Sequence, residues 1–120
     1  MKPFKRNLTI IQGADFDDDF VWQAGPDEDN LAPVDITGCT ARMQVRAEVD
    51  SPDVLLSLTT ENGGIALGGA TGSVVLTLTA LQTAAIDWEQ GVYDLELVYP
   101  DARVRRLMAG RVVVSPEVTR

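Results

Sequence analysis

Thr40-Ala41-Arg42-Met43-Gln44-Val45-Arg46-Ala47 alternates throughout, with apolar side chains at the odd positions and polar ones at the even. Successive side chains of a strand point to opposite faces, so this period of two describes a strand with one face on a core and the other in water. Gly91-Val92-Tyr93-Asp94-Leu95-Glu96-Leu97-Val98-Tyr99 repeats the pattern and puts Tyr93, Leu95, Leu97 and Tyr99 on one face. Val74, Leu76 and Leu78 alternate with Val75, Thr77 and Thr79, and Val54, Leu56 and Leu58 with Leu55, Ser57 and Thr59. Four strands are therefore expected. The stretch from Arg103 to Ser115 is also rich in β-formers, but its alternation changes phase near Gly110, where a bulge or bend is expected.

Turn chemistry separates these runs. Glu61-Asn62-Gly63-Gly64 and Leu67-Gly68-Gly69-Ala70-Thr71-Gly72 hold residues that tolerate a positive φ. Pro33 to Gly38 reads as a short extended piece turning into the next strand, and Pro100-Asp101 as the tip of a hairpin between the Tyr93 and Arg103 strands. Only Thr79 to Ile86 looks helical, for about two turns. Short strands at regular spacing with turns between them predict an all-β fold, a single β-sandwich over residues 1–120 with at most one short helix. No linker, repeat or low-complexity tract divides the chain.

Composition narrows the function classes. The chain has 120 residues, 45% hydrophobic and 23% charged, within the ordinary globular range. It has no histidine, which removes the commonest general base and metal ligand, and its single cysteine forms neither an internal disulfide nor a cysteine-rich zinc site. No G-x-S-x-G element is present, and the glycine pairs lack the lysine of a phosphate loop. The reading is not an enzyme, with no cofactor. Cys39 is expected to be a small buried hydrophobe. Ten Lys and Arg against eighteen Asp and Glu give a net charge of −8, a field that repels nucleic acid. No apolar run spans a bilayer, and Leu8-Thr9-Ile10-Ile11 is too short for a signal-peptide core, so synthesis in a cytoplasm is expected. Asn7-Leu8-Thr9 matches the glycosylation pattern by chance on that reading.

Eight acidic residues and no basic one lie between Asp15 and Asp35. Asp15, Asp17 and Asp19 match the start of an EF-hand calcium loop, but the glycine position holds Phe20 and the closing glutamate position holds Pro26. The simpler reading is a strand whose Phe16, Phe20 and Trp22 face the core while Asp15, Asp17 and Asp19 face water. Asp18 shares the parity of the aromatics and needs a bulge or a partner. A calcium- or carbohydrate-binding module, with Trp22 and Trp88 as stacking platforms, is the alternative drawn from the same stretch. Paired carboxylates for a hydrolase are easily drawn from so many acids and carry no information.

Against this acidity stand basic islands: Arg42 and Arg46 around Gln44, then Arg103, Arg105, Arg106 and Arg111, with Lys2, Lys5 and Arg6 at the start. The arginines are candidate protein-interface residues, since opposite charges segregated along one chain steer head-to-tail contacts between copies or with a neighbour. Residues 1–7 and 115–120 are expected to serve as assembly arms.

The order Asn7-Leu8-Thr9-Ile10-Ile11-Gln12-Gly13-Ala14, then Phe16 and Trp22, then Pro33 through Arg46, resembles small virion proteins of tailed phages and prophages. Leu58 through Gly68 with Gly72, Gly91 through Leu97, and the ending Gly110 through Arg120 are similar as well, so the resemblance spans nearly the whole chain. At the level of fold it is similar to the immunoglobulin-like N-terminal module of phage baseplate upper proteins, where a Val-Asp-Leu-Thr-Gly turn precedes a strand. Here the third residue of that turn is Ile36. The resemblance implies an immunoglobulin-like sandwich with a structural role and transfers no catalytic residue. It implies a place in the virion, in the tail, baseplate or head-to-tail region first and as a capsid-surface decoration second. Implied partners are other phage structural proteins and copies of the chain itself, with no nucleic acid, membrane or small-molecule substrate. With no long extension after Arg120, a receptor-binding or fibre-bearing part is expected to be missing.

Overall fold

In the computed structural model, which describes residues 4–119, the chain begins along one sheet edge as β1 (Phe4–Lys5) and β2 (Leu8–Ile11), then crosses to the other layer as β3 (Phe16–Val21). β4 (Gln23–Ala24) and β5 (Ala32–Pro33) form a short ribbon, followed by β6 (Thr40–Arg46), β7 (Leu56–Thr59), β8 (Ile65–Leu67) and β9 (Ser73–Leu78). A short helix, α1 (Ala80–Ala84), precedes the long hairpin of β10 (Gln90–Val98) and β11 (Val104–Ser115). The larger sheet has the order β1/β2–β11–β10–β6–β7, the smaller one β3–β9–β8. Neighbours are antiparallel except β1 and β2, which run parallel to β11. Two such sheets over a shared core make an immunoglobulin-like β-sandwich with one short α-helix; the alternation predicted the sandwich, and the resemblance implied its immunoglobulin-like form.

The alternating positions supply the core. Met43 and Val45 of β6, Leu95 and Leu97 of β10, and Met108 and Val112 of β11 meet Ile65 of β8 and Val74, Leu76 and Leu78 of β9, each at most 2% exposed. Every such side chain contributes about 1.5–3 kcal/mol of transfer free energy. The β7 segment is shorter than its alternation predicts: Leu58 is buried, but Val54 lies before the strand and is 42% exposed.

The phase change in β11 is real, but its cause lies before Gly110. Leu95 pairs with Met108 and Glu96 with Arg106, so Leu107 is the extra residue of a bulge, and Leu107 and Met108 are both buried. Gly110 answers a different constraint. A Cβ there would lie 2.3 Å from the carbonyl oxygen of Arg6, where the first strand breaks between β1 and β2. At that break the Arg6 N–H donates to the Ala109 carbonyl (3.1 Å), and the Asn7 side-chain oxygen accepts from the Arg111 N–H (3.1 Å), replacing a backbone acceptor in the ladder.

The expected helix forms over five residues with Thr79 as its N-cap. Thr79 Oγ1 accepts from the Gln82 N–H (3.1 Å) and Gln82 Oε1 from the Thr79 N–H (2.8 Å), a reciprocal capping box. Thr83, fully buried, ties the helix to the β2–β3 turn: its hydroxyl accepts from the Gly13 N–H (3.0 Å) and donates to the Ala14 carbonyl (2.8 Å).

The expected arms are mostly tied down. Phe4 through Asn7 belong to the sheet edge, Ser115 ends β11, and the Glu117 N–H donates to Gln12 Oε1 (2.8 Å). Residues 1–3 and 120 lie outside the described residues.

The β10–β11 hairpin turns at Pro100-Asp101 as expected, with the Tyr99 N–H donating to the Arg103 carbonyl and the Ala102 N–H to the Tyr99 carbonyl. Ala102 sits at φ 72°, a left-handed conformation costing an L-residue about 1–2 kcal/mol. Ala102→Gly removes that cost against the added freedom of glycine in the unfolded chain. It is expected to stabilise the fold by about 0.5–1 kcal/mol, read as a raised urea midpoint at constant m-value.

Candidate functional site

The acidic strand is built as its alternation implies. Phe16, Asp18 and Phe20 of β3 face inward and are half-buried, Trp22 follows at 5% exposure, and Asp15, Asp17 and Asp19 are exposed. The partner that Asp18 requires is Arg6. The guanidinium meets both carboxylate oxygens, Nη2–Oδ1 at 2.6 Å and Nε–Oδ2 at 2.9 Å, across the flank between the two sheets. The Arg6 carbonyl in turn accepts from the Tyr93 hydroxyl at 2.5 Å, and Phe4 meets Phe20 edge to face with centroids 5.2 Å apart. The Asp18 hydrogen bond and charge raise the Arg6 pKa further above its ordinary value. Tyr93 was legible as a core residue; nothing in the sequence signals that its hydroxyl fastens the first strand.

Asp15, Asp17 and Asp19 do not converge. Asp15 Oδ1 accepts from the Ala80 N–H (2.7 Å) and so caps α1, while Asp17 and Asp19 point outward along β3. Among the described residues no group of three acidic or thiol side chains is placed to hold a metal ion. The two tryptophans form no joint platform. Trp22 is buried beneath the Arg105 guanidinium, 5.8 Å from its ring centroid, near the Val98–Val104 end of the hairpin. Trp88 is half-buried at the opposite end, beside Val114 and Pro116. Cys39 is half-buried just before β6, and desolvation, with smaller contributions from Asp35 and Asp101, raises its thiol pKa.

Asp17 and Asp19 do occupy a particular place, the open edge of the smaller sheet. The Trp22 N–H donates to the Gly72 carbonyl (2.8 Å), which sets the ladder parity. Phe16, Asp18 and Phe20 then exchange bonds with β9, and the backbone groups of Asp17, Asp19 and Val21 face outward. No basic residue occurs in β3, β8 or β9. Two like charges along an open edge repel the same edge of another copy.

The candidate interface arginines separate into three places. Arg42 and Arg46 of β6 share the outer face of the larger sheet with Arg106 and Arg111 of β11, which pair with Glu96 and Val92 in the register. Arg42 Nε contacts Glu96 Oε1 at 2.9 Å, Arg106 Nε contacts Asp94 Oδ2 at 3.5 Å, and Arg46 donates to Gln44 Oε1 and the Ser51 carbonyl. Between them lies a shallow hollow of about 360 Å³, walled by Arg46, Val49, Val92, Asp94 and Arg106. Arg105 stands on the inner side over Trp22. Arg103 folds onto the hairpin tip, 2.8 Å from Asp101 Oδ2 and over the Tyr99 ring at 4.9 Å. The outer faces thus differ in sign: arginines outnumber acids on the larger sheet, and only acids charge the smaller one.

No family model and no curated protein matches the chain. Among the described residues no helix is long and apolar enough to cross a membrane.

Two outcomes follow from this geometry. Burial, with a smaller contribution from the Asp18 charge, pushes the Tyr93 phenol well above its ordinary value of 10.0. The folded state keeps the proton that the unfolded chain loses, so the stabilisation is full below about pH 10 and lost as the pH rises toward the folded value. Denaturant titrations should show stability falling above about pH 10, with a shallower fall in Tyr93→Phe. At the edge, Asp17→Thr with Asp19→Thr removes the repulsion and adds β-propensity. Sedimentation at about 0.15 M salt should reveal self-association that added salt strengthens.

Proposed function

We propose that this chain is a non-enzymatic assembly module, a β-sandwich that takes its place in a larger particle through contacts between charged outer faces. The observation that carries the reading is the segregation of charge by sheet. Arg42, Arg46, Arg106 and Arg111 gather on one outer face, and Asp17 and Asp19 charge the other. Complementary potentials of this kind orient encounters and suppress wrong partners more than they add affinity, which suits a part that must dock in one register. Supporting it, several polar side chains of the acidic strand and the helix are engaged in structural work: Asp15 caps a helix, Asp18 holds Arg6, and Thr83 pins a turn.

The resemblance to tailed-phage virion proteins gives the particle its proposed identity. The chain belongs on this reading to the tail, baseplate or head-to-tail region of a virion made in a bacterial cytoplasm, contacting copies of itself and other structural proteins. Quantitative mass spectrometry of purified particles should find it at a fixed ratio to the major capsid protein, and its absence from them overturns the proposal. A ratio in the hundreds per particle with a location on the head in a density map assigns it to capsid decoration instead.

A further inference from the structure

The ribbon of β4 and β5 stands apart from the sandwich. Every residue from 25 to 33 is exposed, and the turn between the two strands carries Asp27, Glu28 and Asp29, with Leu31 47% exposed beside them. The turn is nevertheless well built. Asp27 Oδ1 accepts from the Asp29 N–H (3.0 Å) and from Asn30 Nδ2 (2.7 Å), and the Asn30 N–H donates to the Asp27 carbonyl (3.2 Å). At its base the Asn30 carbonyl oxygen passes 1.9 Å from where a Cβ on Gly25 would stand, so glycine there lets the two arms close. A pre-shaped acidic knuckle that contributes nothing to the core has already met the ordering cost of a contact made elsewhere.

The same chain carries a surface of matching chemistry. The hollow on the outer face of the larger sheet is bordered by Arg46 and Arg106, and Arg111 lines the hollow adjoining it; Val49, 89% exposed, and Val92 belong to both. Asp94 is already engaged by Arg106 and Glu96 by Arg42. Counting both partners of those pairs, and Glu48 beside Arg111, four arginines stand against three acids around the two hollows, so this face is net positive in a chain whose net charge is −8. We propose that the acidic β4–β5 knuckle of one copy docks into the arginine-bordered hollow of the next. Its carboxylates then meet Arg106 and Arg111, and Leu31 covers Val49. The knuckle and the hollow are different patches, so a contact made once per pair is heterologous and propagates as a ring or a row, whereas two copies exchanging knuckles would close as a twofold dimer. A contact made by one short turn is expected to fall below the roughly 1,000 Å² of a stable pair, and so to be weak alone and to accumulate through repetition in an array. This inference deepens the assembly reading and rests on it.

A charge exchange tests it. Glu28→Lys with Asp29→Lys alters only exposed side chains of the knuckle, and Arg106→Glu with Arg111→Glu alters only exposed side chains of the sheet face; thermal melts confirm that each variant folds. In sedimentation at low salt the wild-type chain should associate with rising concentration, and added salt should weaken it. Each double variant alone should lose the association by about tenfold or more. Mixing the two should restore it, because lysine knuckles then meet glutamate faces while wild-type knuckles meet wild-type faces. A wild-type chain that stays monomeric at low salt, a variant that associates like wild type, or a mixture that stays dissociated overturns the inference. So does loss of association in Asp17→Lys with Asp19→Lys but not in the knuckle variant, which moves the acidic partner to the smaller sheet. Presence in purified virions is read independently, so a chain found in particles but failing the exchange loses this contact and keeps its assembly role.

Discussion

A first strand placed beside β3 would have extended the smaller sheet and covered its edge. Here it runs parallel to β11 on the opposite layer, and the rest of the flank follows from that choice. The side of the sandwich between β1 and β3 has no ladder to close it, so side chains close it instead. Phe4 packs on Phe20, Arg6 holds Asp18, and the Tyr93 hydroxyl fixes the Arg6 carbonyl from below. A carboxylate facing the interior would cost several kcal/mol without a partner. With a two-point ion pair, half-exposed on the arginine side, it becomes a modest clasp that sets where the first strand lies. The same choice leaves the outward backbone groups of β3 without a strand partner among the described residues, and it is on this edge that Asp17 and Asp19 stand.

What could be read beforehand follows from how local each signal is. The alternation in Thr40–Ala47, Gly91–Tyr99 and Val74–Thr79 depends only on strand geometry, and its buried residues are those of the core. The helix was legible from the local composition of Thr79–Ile86, whereas its capping box emerges only in the structure. Val54 misled because an apolar residue beside a strand obeys the same parity as one inside it. The bulge was legible as a phase change but misplaced by three residues: Gly110 looks like the weak point of the strand, whereas the extra residue is Leu107 and the glycine accommodates a neighbouring strand. That Asp18 needed a partner followed from its parity. That the partner was Arg6 did not, because the two meet only once the first strand has chosen its sheet.

The arginine positions divide in the same way. Arg42 and Arg46 could be assigned to one outer face from their spacing alone. Arg105, one residue before Arg106, belongs with the aromatic Trp22 on the inner side, and Arg103 with the hairpin tip. A cluster in sequence is therefore three separate environments in space, and only the bulge at Leu107 brings Arg106 and Arg111 onto the face shared with β6. The surface charge thus has an organisation that counting along the chain does not reveal, and its sign differs between the two layers.

The break between β1 and β2 has a mechanical consequence. Because the Asn7 side chain takes over one bond of the ladder, the edge is fastened as two separate lengths: Phe4 and Lys5 against Met108 and Ala109, and Leu8 to Ile11 against Val112 to Ser115. The first length rests on two residue pairs, one ring contact, the Arg6–Asp18 ion pair and the bonds of the Arg6 backbone to Ala109 and Tyr93; the second has Leu8 and Ile10 sunk in the core. Their opening free energies are correspondingly unequal. Phe4 to Arg6 are therefore expected to open before Leu8 to Ile11, with Asn7 marking the boundary between the two lengths.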